Sequence, residues 1–186
     1  MAYPTLISAA SLCALLGAST VAHAQFADKR AAPTLYMQAG AAEHKAGSVT
    51  VGSTMPLGYT TYWWGNAVTT HWDLSLGTWN AENSSGSRQG VAVIGMKPVL
   101  RFHSKSRYPW FVEAGVGGYL SSKLYDNRGE RSSTAFNFGT HLGLGYYTGM
   151  RREHEWMLRV EHVSNAGIKQ PNPGENFVQL RYARHF

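Results

Sequence analysis

The segment Glu155–Asn176, EWMLRVEHVSNAGIKQPNPGEN, contains the pattern that decides the fold. Alternate residues share one face, which begins apolar and ends with a base and a hydroxyl: Trp156, Leu158, Val160, His162 and Ser164. The opposite face carries the charges of Arg159 and Glu161. An extended strand sends alternate side chains to opposite faces. In a soluble sandwich the apolar face would point to a core, whereas in a membrane barrel it faces lipid.

Strand-like segments continue along the chain, separated by turn signals. About eight are predicted, at Thr34–Glu43, Ser48–Met55, Val68–Trp79, Gln89–Phe102, Trp110–Ser121, Ser132–Tyr147, His154–Ser164 and Phe177–Phe186. Most reach the roughly ten residues that a tilted barrel strand needs to cross a bilayer. The segment at 48–55 is short, and an irregular aromatic sequence follows it.

Polar side chains lie opposite the apolar faces of several predicted strands: Glu113, Asn137, Arg159, Glu161, Gln179 and Arg181. They would form the solvated face of a soluble sheet. The apolar faces opposite them are long on several strands, which favours a barrel instead. An eight-stranded barrel has no open channel, so inward charges must pair with one another. We therefore predict an all-β fold, an eight-stranded antiparallel transmembrane β-barrel of the bacterial outer membrane.

The start of the 186-residue chain resembles a secretory signal. The apolar run Leu6–Leu16 is followed by Ala22-His23-Ala24, which fits a small-x-small cleavage site. No Lys or Arg precedes the apolar run. We predict a signal peptide at 1–24 that is removed, and a single β-barrel domain at 25–186. The only cysteine, Cys13, lies within that signal, so the mature chain would have no disulfide and no thiol nucleophile.

The chain carries a formal net charge of +6. A basic excess can attract nucleic acid or an anionic membrane surface. Because the predicted signal would export the protein, a membrane surface is the favoured partner of the basic residues, and we expect no nucleic-acid partner. The histidines outside the quoted segment show no metal-ligand spacing on a face shared with carboxylates, and no glycine loop for phosphate is present. We therefore expect no metal and no cofactor.

The most specific chemical feature is the pair His162 and Ser164. The two residues share a strand face, with Cα atoms about 7 Å apart by strand rise. A serine nucleophile needs a general base at hydrogen-bond distance, and that base needs a third group to orient it. Such a pair is usually incidental, but on the apolar wall of a barrel it requires an explanation. The candidate orienting groups are Glu161, which points to the opposite face, Glu175 and Asn176.

Groups near this pair are candidates for stabilising an oxyanion. Asn165 is the first choice, and Asn172 and Gly167 are less certain ones. Backbone amides at Ala166 and Gly167 could also donate to a developing negative charge.

The run HVSNAGIKQPN at 162–172 resembles the lipid A 3-O-deacylases of Gram-negative outer membranes. Weaker similarity extends over the mature chain, including FVEAGVG at 111–117. The resemblance implies an eight-stranded barrel with an esterase site on its outer wall, near the outer leaflet. It implies a Ser-His-Glu triad with Ser164 as nucleophile, His162 as base and the glutamate after the loop as orienter. It also implies that Asn165 is important for activity.

One residue departs from the pattern of that family. The family's acid stands one residue beyond Glu175, where this chain has Asn176. By strict alternation Asn176 shares the outward face of Val178, while Glu175 points inward, because a one-residue slip changes the face. We predict Glu175 as the orienter, since a carboxylate also stabilises the imidazolium that forms, with Asn176 as the alternative.

The function implied by the resemblance is hydrolysis of the ester-linked acyl chain at position 3 of lipid A. Lipopolysaccharide would be the substrate, outer-membrane lipids would surround the enzyme, and no cofactor would be needed. Two alternatives remain open: a non-enzymatic barrel such as an adhesin or structural protein, and a barrel phospholipase or acyltransferase. The sequence does not determine which acyl chain is preferred or whether the protein forms a homodimer.

Overall fold

The computed structural model describes residues 32–105 and 108–186, so the predicted signal peptide and Cys13 lie outside the described residues. The strands in chain order are β1 (Thr34–Ala41), β2 (Gly47–Trp63), β3 (Asn66–Glu82), β4 (Arg88–His103), β5 (Trp110–Ser121), β6 (Asp126–Asn127), β7 (Glu130–Arg131), β8 (Phe136–Thr148), β9 (His154–Ser164) and β10 (Glu175–His185). A single 3-10 turn at Glu43–Lys45 joins β1 to β2. Across the described ranges, no helix has the length and hydropathy needed to span a membrane.

Eight of the strands close into one antiparallel barrel in the order β1-β10-β9-β8-β5-β4-β3-β2. Strand β1 pairs with both β2 and β10, which closes the sheet without a free edge. Strands β6 and β7 form a separate short hairpin in the connection between β5 and β8. The predicted eight-stranded antiparallel barrel is confirmed, and the soluble sandwich is wrong.

Strand β2 is much longer than the short segment predicted at 48–55, because it extends over 17 residues to Trp63. The register with β3 shifts between Pro56 and Thr60. A bulge of this kind accommodates a residue without a backbone N–H donor and re-aims the strand. The irregular aromatic sequence therefore continues β2 rather than forming a loop.

The outer wall of the barrel is apolar. Its exposed side chains come from every long strand, and include Leu35, Met37, Val51, Leu76, Ile94, Val116, Leu142, Leu158 and Val178. Exposed apolar surface on this scale is unfavourable in water and is typical of a lipid-facing barrel wall.

The interior contains many buried charges, together with two apolar clusters, one around Trp79 and one around Phe111. Buried ion pairs join Arg159 to Asp73 and Glu161, Arg181 to Asp73, Lys97 to Glu161, and Arg101 to Glu113 and Glu155. The polar residues predicted to point inward are all buried: Glu113, Asn137, Arg159, Glu161, Gln179 and Arg181. A charge removed from water needs an oppositely charged partner. A strand that slipped by one residue would turn its charged side chains to the outer wall, so these ion pairs require the observed strand register.

The connections that follow β1, β3, β5 and β9 lie at the same end of the barrel, here called the loop end. They contact one another through backbone and side-chain hydrogen bonds. Asn127 Nδ2 donates to the Glu43 carbonyl at 3.2 Å, and the Arg128 amide donates to the Glu82 carbonyl at 2.7 Å. The loop end is therefore a packed layer of loops above the barrel.

Candidate active site

Strand β9 carries His162 and Ser164 on the outer wall. Glu161 and Val163 are buried, while His162 is exposed and Ser164 is half-buried. His162 pairs with Thr140 of β8, and Ser164, the last residue of β9, pairs with Phe138. The base and the hydroxyl therefore lie at the loop end of the barrel, on the face that continues the apolar wall.

Asn176 is the residue that contacts the imidazole. It pairs directly with His162 across the β9–β10 ladder, and its Oδ1 lies 2.8 Å from His162 Nδ1. A carbonyl oxygen can only accept a hydrogen bond, so Nδ1 carries the proton. His162 Nε2 then has a free lone pair, which is the state that a general base needs.

Glu175, the preferred orienter, lies on the opposite face of β10. It pairs with Val163, and its Oε2 accepts hydrogen bonds from the Tyr125 hydroxyl at 3.0 Å and from Asn127 Nδ2 at 2.8 Å. The strand begins at Glu175, so strict alternation already applies there. The predicted contact between Glu175 and the imidazole is not present, because the loop does not turn this residue outward.

The two partners of Glu175 belong to the connection between β5 and β8. Burial, together with the neighbouring carboxylate, raises the pKa of the Tyr125 phenol well above its usual value. The phenol therefore stays protonated and donates to Glu175. This carboxylate fixes the β5–β8 connection to the first residue of β10.

Asn165 is fully buried, and its side chain is already hydrogen-bonded. Its Nδ2 donates to Ser133 Oγ at 2.9 Å and to the Lys169 carbonyl at 2.8 Å, while its Oδ1 accepts from the Gly167 amide at 2.9 Å. Both side-chain donor hydrogens are thus used, one within the β9–β10 loop and one on the neighbouring β5–β8 connection. In this structure the side chain of Asn165 stabilises the loop, and its part in an oxyanion site stays a prediction.

The less certain oxyanion candidates are also engaged. Asn172 Oδ1 accepts from the Asn165 backbone amide at 3.0 Å, and the Gly167 amide donates to Asn165 Oδ1. The Ala166 amide points to Ser164 Oγ at 3.5 Å, which is long for a hydrogen bond. Ala166 adopts a positive φ of 54° in the turn that follows β9.

An apolar surface surrounds the pair. Phe138, opposite Ser164, packs edge to face against Phe136 with ring centroids 5.1 Å apart. Thr140, opposite His162, lines an open groove of about 570 Å³ that continues across β5 and β4 past Val116 and Leu100. Within residues 32–105 and 108–186, no group of three His, Cys, Asp or Glu side chains is arranged to hold a metal ion.

These features define a transmembrane β-barrel of the outer-membrane type with a serine and a histidine on the same lipid-facing side of one strand. The family model described as Lipid A 3-O-deacylase (PagL) matches residues 47–185, and the chain belongs to that family. The resemblance seen in the 162–172 run is thereby confirmed.

Two relatives carry the description Lipid A deacylase PagL. The protein from Bordetella bronchiseptica is 40% identical over 91 residues, which cover 48% of this chain and 47% of that protein. The protein from Pseudomonas aeruginosa is 26% identical over 125 residues, covering 64% of this chain and 68% of that protein. The chain thus matches about half the length of the first relative and about two thirds of the second.

A solved structure has the same fold. It is described as the crystal structure of the outer membrane enzyme PagL, and it superposes with a TM-score of 0.68 at 22% sequence identity. The match covers 82% of this chain and 99% of that chain. At this identity the likeness concerns the fold.

Proposed function

We propose that this protein is an outer-membrane esterase that removes the ester-linked 3-O-acyl chain of lipid A. The observation that carries the proposal is the row Asn176, His162 and Ser164. The first two are in hydrogen-bond contact and all three lie on the lipid-facing side, in a chain of the lipid A 3-O-deacylase family. We also propose that residues 1–24 direct export and are removed, so that a barrel domain at 25–186 remains.

In the proposed mechanism, Asn176 holds the imidazole with the proton on Nδ1. His162 Nε2 takes the proton from Ser164 Oγ as this oxygen attacks the ester carbonyl of the substrate. The resulting oxyanion accepts a hydrogen bond from the Ala166 amide, whose nitrogen lies 3.5 Å from the serine oxygen. His162 then gives its proton to the departing sugar oxygen, and an acyl-enzyme forms on Ser164.

Water completes the reaction by the reverse sequence. His162 removes a proton from water, the hydroxide attacks the acyl-enzyme, and the proton returns to Ser164 Oγ as the fatty acid leaves. No cofactor takes part in these steps. The amide of Asn176 orients the ring but brings no negative charge to the imidazolium, so stabilisation of the ion depends on the surrounding dipoles.

The surroundings of the pair suit a substrate that stays in the membrane. The apolar wall on either side of the site includes Val160 and Val178, and the groove that begins at Thr140 offers room for an acyl chain. The sugar headgroup would lie at the loop end, where the loops are polar. The acyl chain would then reach Ser164 without leaving the hydrocarbon layer.

The test is mass spectrometry of lipid A from cells whose outer membrane contains the protein and that lack other deacylases. The wild type is expected to remove the 3-O-acyl chain, and Ser164→Ala and His162→Asn to leave it in place. Gel electrophoresis of heated and unheated samples of each variant checks that the barrel has folded, because a folded barrel changes its mobility on heating. Persistent loss of that chain in Ser164→Ala would refute the mechanism. Unchanged lipid A in the wild type would indicate a non-enzymatic barrel, and release of acyl chains from phospholipid a phospholipase.

A further inference from the structure

The residue Gly174 lies directly against the catalytic imidazole. It is the last residue before β10, and it has a positive φ of 72°. A Cβ atom at this position would lie 2.8 Å from His162 Cε1 and 3.4 Å from His162 Nε2. Carbon atoms prefer separations of about 3.5–4.0 Å, so a methyl group here and the present ring position exclude each other.

We infer that Gly174 is a positioning residue for His162, and that its missing side chain provides the space in which the imidazole is held. The inference rests on the proposed function, because it assigns a role within the same site. Asn176 holds the ring at Nδ1, and Gly174 lies against the edge that carries Cε1 and Nε2. Two residues of one short segment therefore determine both the tautomer and the place of the base.

A substitution at Gly174 has two separable effects, strain of the backbone and contact with the ring. A substitution at Gly129, in the β6–β7 turn at the same end of the barrel, is the control that distinguishes the two effects. Gly129 has a positive φ of 93°, yet a Cβ there would meet nothing within 4 Å. Gly129→Ala thus introduces backbone strain without a clash. Asn tolerates the left-handed region, so Gly174→Asn relieves the strain but keeps the Cβ.

The experiment measures kcat and KM of the full chain on lipopolysaccharide in detergent, for wild type, Gly174→Ala, Gly174→Asn and Gly129→Ala. Misplacing a catalytic group by about 1 Å costs on the order of 100-fold in rate, so both Gly174 variants should lose about that much kcat. Their KM should stay at the wild-type value, because the apolar wall that would contact the acyl chain is unaltered. Gly129→Ala should stay within about twofold of wild type.

Any of three results would overturn the inference. The first is a wild-type kcat in Gly174→Asn, and the second is a loss of kcat in Gly129→Ala as large as that in Gly174→Ala. The third is a raised KM with an unchanged kcat in the Gly174 variants. If a Gly174 variant folds poorly, His162→Ala is added to remove the ring. Folding must then recover, and continued misfolding would refute a clash with the imidazole. An inactive wild type would refute the proposed function and this inference with it, whereas an active wild type with fully active Gly174 variants would refute only the inference.

Discussion

The Oδ1 atom of Asn176 lies 2.8 Å from Nδ1 of His162, whereas the carboxylate of the adjacent Glu175 accepts hydrogen bonds from Tyr125 and Asn127 on the other side of the sheet. The residue hydrogen-bonded to the imidazole is therefore a neutral amide, and the nearby carboxylate is hydrogen-bonded to a loop. This separation of roles leads to two different predictions for two neighbouring positions.

Removing the amide at Asn176 should slow the chemical step. In Asn176→Ala the imidazole loses the acceptor that fixes its tautomer, and we expect kcat to fall by about 100-fold. In Asn176→Glu a carboxylate can accept the same hydrogen bond and also stabilise the imidazolium, so kcat should equal or exceed that of wild type. Steady-state kinetics on lipopolysaccharide measures both variants. Wild-type activity in Asn176→Ala would argue against the orienting role.

Changes at Glu175 should affect stability rather than catalysis. Glu175→Ala removes the acceptor of the Tyr125 hydroxyl and one of the two acceptors of Asn127 Nδ2, which keeps the Glu43 carbonyl. A buried group left unsatisfied costs about 1–3 kcal/mol. Glu175→Gln keeps an acceptor oxygen and should unfold at nearly the wild-type denaturant concentration. Both folded variants should keep the wild-type kcat. If kcat in Glu175→Gln fell as far as in His162→Asn, Glu175 would be the orienter after all.

Asn165 should matter through loop order. Asn165→Ala removes three hydrogen bonds at once, those to Ser133, Lys169 and Gly167, so the loop that carries the Ala166 amide should lose its shape. We expect faster proteolysis between residues 165 and 174 together with a lower kcat. Ser133→Ala is the matched control, because it removes one of these partners and should have a smaller effect on both measurements. An intact, protease-resistant loop with an inactive enzyme would instead indicate a direct catalytic role for Asn165.

The interior ion pairs should determine whether the barrel folds. Arg159→Met leaves Asp73 and Glu161 with one fewer cation each, and breaking a buried pair costs about 3–5 kcal/mol. Arg128→Met is the control, since the exposed Arg128–Glu82 pair is worth about 0–1 kcal/mol. Urea unfolding in lipid vesicles compares the two. Equal midpoints would show that the interior charges contribute no more than the surface pair.

The sequence by itself determined which residues face lipid. Between Leu158 and Glu161 apolar and charged residues alternate, and only the barrel places a polar face inside and an apolar face outside. This assigned the outward position to His162 and the inward one to Arg159, and the structure has both residues there. A period of two is a local property of an extended chain, so it can be read without knowing any contact.

The tertiary structure alone decided which residues contact one another. The orienter depends on where β10 begins, and a shift of one residue exchanges Glu175 for Asn176. The role of Asn165 depends on Ser133, which is 32 residues away in the chain. The space for the His162 ring depends on a close approach of Gly174 across the loop. Contacts between distant segments follow from strand register and loop packing, and neither is a property of any single stretch of sequence.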